Sequence, residues 1–248
     1  MSNVIIMTAG LAGSSVLTGL VARAGYWTGR ETFRKADYNT YENHRLIELN
    51  QSLFKEVGFD GNYTEIFPGW VIDALQHKAD KIDAGPFLEF IAECDRNGPW
   101  IWKDPRLNLT MQTWARWLDL ENMRFLMISR ELGQSWISST LRRQIQTYRY
   151  HAVYNDRVRR AIQAFFDRHG LSHLPIIYED LIVHPEDTID KLNQYIGTSI
   201  SIEDLKQIYF RDLYKRQHGL RNMTKATMIY LKNYRARRFL DYVPQTAD

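Results

Sequence analysis

Three short stretches of the chain carry residue types suited to holding an anion. The first runs from Val4 to Ser15, where four apolar residues lead through Thr8 into a small-residue loop and then into helix-forming sequence. A strand that turns through glycines into a helix aims free backbone N–H groups at one point, and the helix terminus adds partial positive charge there. Ala9, Gly10, Leu11, Ala12, Gly13, Ser14 and Ser15 are the candidate residues of that loop. The second stretch, Trp102-Lys103-Asp104-Pro105-Arg106, places cations where another apolar run ends. The third, Ile128-Ser129-Arg130, does the same ahead of a helix expected to carry Ser138, Arg142 and Arg143. Together these features suit a phosphorylated nucleotide. The loop lacks the lysine of Gly-x-x-x-x-Gly-Lys-Ser/Thr, which counts against a magnesium-dependent kinase.

The elements that must position these residues alternate along the chain. Apolar runs at 4–7, 100–102, 124–129 and 174–177 predict strands. A helix is expected from Ser14 to Ala24, stopped at Gly25 where a left-handed cap is favoured. Helical spacing recurs at Leu46, Leu49, Leu53 and Val57, and again at Val158, Ile162, Phe165 and His169 before Gly170. Strands separated by helices imply parallel crossovers and a sheet covered on both faces. Ligands of such sheets sit beyond the carboxyl ends of the strands, where all three stretches fall. The reading is a single α/β domain over residues 1–248, with a central parallel sheet flanked by helices and no dividing linker.

The order and content of these motifs resemble the family of sulfotransferases that use 3′-phosphoadenosine 5′-phosphosulfate (PAPS). The run Lys103-Asp104-Pro105-Arg106, with Trp114 and Trp117 downstream, is similar to the bacterial and carbohydrate-type branch. Tyr178-Glu179-Asp180-Leu181, continuing through Pro185-Glu186 to Ile196-Gly197, resembles a signature of bacterial members, with His184 in place of an aspartate. The resemblance implies a P-loop-like sulfotransferase fold. It also implies metal-independent transfer of a sulfuryl group from PAPS to a hydroxyl or amine of a small-molecule or carbohydrate acceptor. The first loop would then hold the 5′-phosphosulfate, with Arg130 and Ser138 on the 3′-phosphate. Arg216 and Arg221, in a basic stretch that such enzymes close over the nucleotide, are second contacts by the same resemblance, or else part of a solvated turn.

One departure stands out. The family loop carries a lysine or arginine where this chain has Leu11, so Lys103 is expected to supply the positive charge on the bridging oxygen. That neutral loop also keeps alive a nucleotide-binding homologue without transfer activity. For the catalytic base the resemblance offers Glu31 and Glu42. Glu42 is expected at a helix start, where the dipole alone favours a glutamate. Asp104 is a third candidate, weakened as a base by the cations beside it. Glu179 and Asp180 read as scaffold.

Composition bounds the rest. The 248 residues supply ample apolar content for a full core. The single cysteine, Cys94, excludes an internal disulfide and a thiol-rich zinc site, and the seven histidines show no metal spacing. No stretch suits a membrane span or a signal peptide, which gives a cytoplasmic expectation. The net charge of +3 fits an acidic nucleotide and is too mild for nucleic acid. Trp100, Trp102, Trp114 and Trp117 read as core, and the tail after Met223 as an amphipathic helix. Oligomeric state has no signal, and the segment from Phe33 to Gly98 that should form the acceptor pocket has no chemically readable pattern.

Overall fold

The structure, a computed structural model, describes residues 1–9, 11–35, 38–64, 66–142, 144, 146–208 and 220–235. Its first half comprises β1 (Asn3–Thr8), α1 (Ser14–Arg23), β2 (Thr32–Arg34), β3 (Asn39–Asn43), α2 (His44–Glu56), α3 (Trp70–Lys78), α4 (Gly85–Arg96) and β4 (Ile101–Lys103). The second half adds α5 (Leu107–Trp114), β5 (Met123–Ser129), α6 (Leu132–Leu141), α7 (Tyr148–His169) and β6 (His173–Ile177). It closes with α8 (Asp180–Val183), α9 (Pro185–Ile196), α10 (Ile202–Ile208) and α11 (Leu220–Arg235).

Four strands form one parallel sheet in the order β4-β1-β5-β6. Because a strand exposes alternate residues to opposite faces, its continuous apolar runs feed two cores. Ile5, Met7, Trp102 and Phe125 face a core built with α2, α4, α5 and α7. Val4, Ile6, Ile101 and Leu126 face a second one closed by Leu17 and Leu20 of α1 and Leu192 of α9. Trp100, Trp102 and Trp114 are fully buried, and the rings of Trp100 and Trp102 stack at 4.4 Å. Gly170 ends α7 in the left-handed conformation, at φ 62°.

Three expectations need correction. Residues 39–43 do not start a helix: they form β3, antiparallel to β2, with Phe33 across from Glu42 and with Tyr41 in the left-handed conformation at φ 58°. The helix begins at His44 and is capped by Asn43, whose Oδ1 accepts from the Arg45 N–H at 2.9 Å. Glu42 therefore stands ahead of the cap and outside the first turn. Second, α6 ends at Leu141, so Arg142 is its C-cap, while Arg143 lies outside the described residues. Third, Arg221 is not on a loop but in the first turn of α11, where it is exposed; Arg216 lies outside the described residues. α11 buries Ala226 and Ile229 and sets Tyr230 against Trp136 of α6, as an amphipathic tail helix should.

Candidate active site

The loop after β1 is shaped by backbone conformation. Leu11 and Gly13 have φ of 49° and 79°. At Gly13 a Cβ would fall 1.8 Å from the Tyr178 ring, so both its dihedral and its neighbour require glycine. No side chain caps the N-terminus of α1, which leaves its first N–H groups to a ligand. Ser14 and Ser15 begin that turn and face a cavity of about 280 Å³.

Lys103 ends β4 on the floor of this cavity and is 3% exposed. Its Nζ lies 2.5 Å from Glu42 Oε1, 3.2 Å from the Thr40 carbonyl and 3.4 Å from Ser15 Oγ. The ammonium thus bridges the first loop and β3. Asp104 next to it is buried and fully engaged. Its Oδ1 accepts from Arg106 Nη1 at 2.8 Å and from the Arg106 N–H at 3.0 Å, and its Oδ2 from Asn50 Nδ2 at 2.9 Å. That leaves Asp104 as an anchor for Arg106, whose guanidinium covers the Tyr63 ring at 5.0 Å. Burial, reinforced by the Asp104 charge, raises the Tyr63 hydroxyl above its ordinary pKa.

Arg130, at the end of β5, is held on three sides. Its Nε donates to Glu179 Oε1 at 3.2 Å, its Nη1 reaches the Leu11 carbonyl at 3.4 Å, and its guanidinium lies 4.9 Å from the Tyr178 ring centroid. Glu179 Oε2 also accepts the Glu131 N–H at 3.0 Å. The Tyr-Glu pair at 178–179 is therefore scaffold with a specific task, aiming Arg130 and closing over Gly13. Ser138 of α6 is buried on the same cavity wall.

Ala9, Leu11, Gly13, Ser14, Ser15, Glu42, Lys103, Arg130 and Ser138 all border this cavity. Ala12 is buried and is not among its lining residues. Glu31 is exposed and also absent from the lining; its carbonyl accepts the His44 N–H. Arg221 does not reach the cavity either, and Gly10 and Arg216 lie outside the described residues.

Other lining residues had no motif to announce them. Phe33, Lys35, Tyr38 and Thr40 belong to the β2–β3 hairpin and join Glu42 in one wall. Residues 33, 35, 38, 40 and 42 carry no alternation of apolar and polar types, so the sequence held no signal for this wall. His151 of α7 is buried, with Nδ1 2.9 Å from Gln146 Oε1 and Nε2 3.0 Å from Ser135 Oγ. Burial pulls its pKa down to about 4, so the imidazole is neutral. Among the described residues no group of three His, Cys, Asp or Glu side chains is placed to hold a metal ion, and no helix is long and apolar enough to cross a membrane.

No family model matches the chain, and no curated protein matches it by sequence. Among the solved structures similar to it are two sulfotransferase domains. The sulfotransferase domain from the Synechococcus PCC 7002 olefin synthase is 16% identical, with a TM-score of 0.52, over 90% of this chain and 82% of that one. The sulfotransferase domain from the curacin biosynthetic pathway is 17% identical, with a TM-score of 0.54, over 89% and 81%. The chain thus has the sulfotransferase fold, a central parallel sheet flanked by helices, as its sequence predicted.

Proposed function

We propose that the chain is a sulfotransferase of the bacterial, Lys-Asp-Pro-Arg-bearing type. It would act in the cytoplasm without a metal, on a hydroxyl or amine of a small-molecule or carbohydrate acceptor. The observation that carries this reading is the meeting of Lys103 and Glu42 at 2.5 Å on a cavity floor that an anion-binding loop, Arg130 and Ser138 also border. Cation and carboxylate side by side are what in-line group transfer needs, one for the leaving oxygen and one for the acceptor proton.

PAPS supplies the sulfuryl group and a phosphate leaving oxygen. The amides of the first loop, with the hydroxyls of Ser14 and Ser15, suit the 5′-phosphate end. Arg130 and Ser138 suit the 3′-phosphate. Lys103 spends its three donors on Glu42, Thr40 and Ser15, and the Ser15 contact at 3.4 Å is the weakest. Exchanging that contact lets the ammonium neutralise charge on the bridging oxygen while it keeps hold of β3. Glu42 takes the acceptor proton as the new bond to sulfur forms. The missing cation at Leu11 leaves Lys103 as the positive charge nearest that oxygen.

The test is a titration with 3′-phosphoadenosine 5′-phosphate (PAP). At a hundred times its dissociation constant it should stabilise the protein by about 2.7 kcal/mol, a melting shift of roughly 5–10 °C. ADP should shift it less, and EDTA should change nothing. Equal shifts with ADP, or loss of the shift in EDTA, would favour a kinase. PAP binding without transfer to any acceptor of a metabolite library would favour the inactive homologue.

A further inference from the structure

Five lysines and arginines border the cavity: Lys35, Lys103, Arg106, Arg130 and Arg142. Three of its cations are matched by carboxylates: Lys103 by Glu42, Arg106 by Asp104 and Arg130 by Glu179. Lys35 and Arg142 have no carboxylate partner among the described residues. Both instead share one ring. Lys35 Nζ lies 5.6 Å from the centroid of Tyr38, the Arg142 guanidinium 5.3 Å, and Arg142 Nη1 donates to the Tyr38 hydroxyl at 2.9 Å. Two like charges gathered on one ring repel, and an anion between them is a species both can bind.

Lys35 follows β2 in the hairpin, and Arg142 reaches the same ring from the C-cap of α6. Residues 33 and 35 of one arm and 38, 40 and 42 of the other line the cavity, while Tyr41 turns the opposite way onto Gly19 of α1. One face of the hairpin is therefore a cavity wall, with Glu42 at one end, Phe33 opposite it, and Lys35 and Tyr38 at the tip. At about 3.3 Å per residue the tip stands roughly 7–13 Å from Glu42 along the strands. Arg130 contacts other elements, the first loop and residues 178–179, whereas Arg142 lies one turn beyond Ser138 on α6, so PAP affinity in a variant lacking both cations decides between acceptor and donor.

Resting on the sulfotransferase reading above, we infer that the acceptor carries an acidic group, bound by Lys35 and Arg142 roughly 10 Å from the hydroxyl or amine that Glu42 deprotonates. The apolar stretch between the two ends lies along Phe33. Such an acceptor is an amphipathic hydroxy or amino acid, or a phosphate or sulfate ester of similar length, rather than a neutral sugar.

The experiment is calorimetry on PAP-saturated protein with 8-hydroxyoctanoate, which spans that distance when extended, and with its neutral counterpart octane-1,8-diol. Two partly exposed cations should favour the acid by roughly fivefold to tenfold, and the preference should shrink as salt rises. The double variant Lys35→Met/Arg142→Met should erase it; both side chains are exposed, so the fold is not at stake. Equal affinity for the two probes, failure of both to bind, or a preference that survives the double variant would overturn the inference. So would a parallel loss of PAP affinity in the double variant, which would assign both cations to the donor. If PAP itself fails to bind while the acid preference persists, the sulfotransferase reading falls and the acidic-group subsite stands.

Discussion

Lys103 and Glu42 form a buried ion pair whose side chains are 3% and 14% exposed. Breaking such a pair from one side leaves an uncompensated charge out of water, which costs about 3 kcal/mol. Lys103→Met and Glu42→Gln should each destabilise by about that amount in chemical denaturation. The double variant should recover most of the loss, since neither charge is then orphaned. Additive losses would mean that the two residues are not energetically paired.

Activity separates the two candidate bases. Glu42→Gln keeps size and removes the proton acceptor, so turnover should fall roughly a hundredfold or more while PAP affinity stays near its original value. Glu31 is exposed, away from the cavity lining, and Glu31→Gln should be nearly silent. The reverse pattern, read with any verified acceptor, would move the base to Glu31.

The Arg130–Glu179 pair gives a graded test of 3′-phosphate recognition. Arg130→Ala should weaken PAP by about 1.5–3 kcal/mol, the worth of a charged hydrogen bond. Adenosine 5′-phosphosulfate, which lacks the 3′-phosphate, should be little affected. Glu179→Gln removes the aiming charge and leaves the guanidinium, so PAP binding should weaken by less than in Arg130→Ala. Equal losses for both nucleotides would make Arg130 a support of the loop through Leu11 rather than a phosphate ligand.

How far the sequence carried depended on what each residue answers to. β1, β4 and β5 were legible because they are buried along most of their length, which leaves near-continuous apolar runs such as Val4-Ile5-Ile6-Met7. β6, an edge strand with Pro175 and Ile177 exposed, was legible from its apolar composition alone. Gly13 and Gly170 were legible because left-handed backbone selects glycine. The β2–β3 hairpin was not, since its wall mixes Phe33, Lys35, Tyr38, Thr40 and Glu42 and has no apolar stripe. A glutamate ahead of a helix also has an ordinary explanation in the dipole, which masked the strand that holds Glu42. Glu179 reaches Arg130 across 49 positions, and no local pattern records a contact of that range.

His151 sets a pH limit on stability. Its folded pKa lies near 4, against 6.5 when unfolded. The unfolded chain therefore takes up a proton that the native site refuses. Stability is full above about pH 6.5, falls between 6.5 and about 4, and levels off once the native imidazole is also protonated, a loss of about 3 kcal/mol. His151→Gln should flatten that part of the stability–pH curve. Parallel curves for the two proteins would show that other groups set the acid limit.

Leu11 and Lys103 provide a rescue test of the leaving-group charge. Lys103→Met keeps the aliphatic stem and deletes the ammonium, so turnover should drop by roughly a hundredfold to a thousandfold, as when one preorganised donor to a developing charge is lost. Placing the charge back on the other side of the cavity, with Leu11→Arg in the Lys103→Met background, should recover part of that loss. The exchange adds no backbone cost, because Leu11 already occupies the left-handed conformation at φ 49°. Denaturation curves for each variant, taken alongside turnover, keep stability lost with the ion pair from being mistaken for lost chemistry. Unchanged turnover in Lys103→Met would leave the lysine with a structural role alone, and a loss that Leu11→Arg does not relieve would mean that position 11 cannot reach the leaving oxygen.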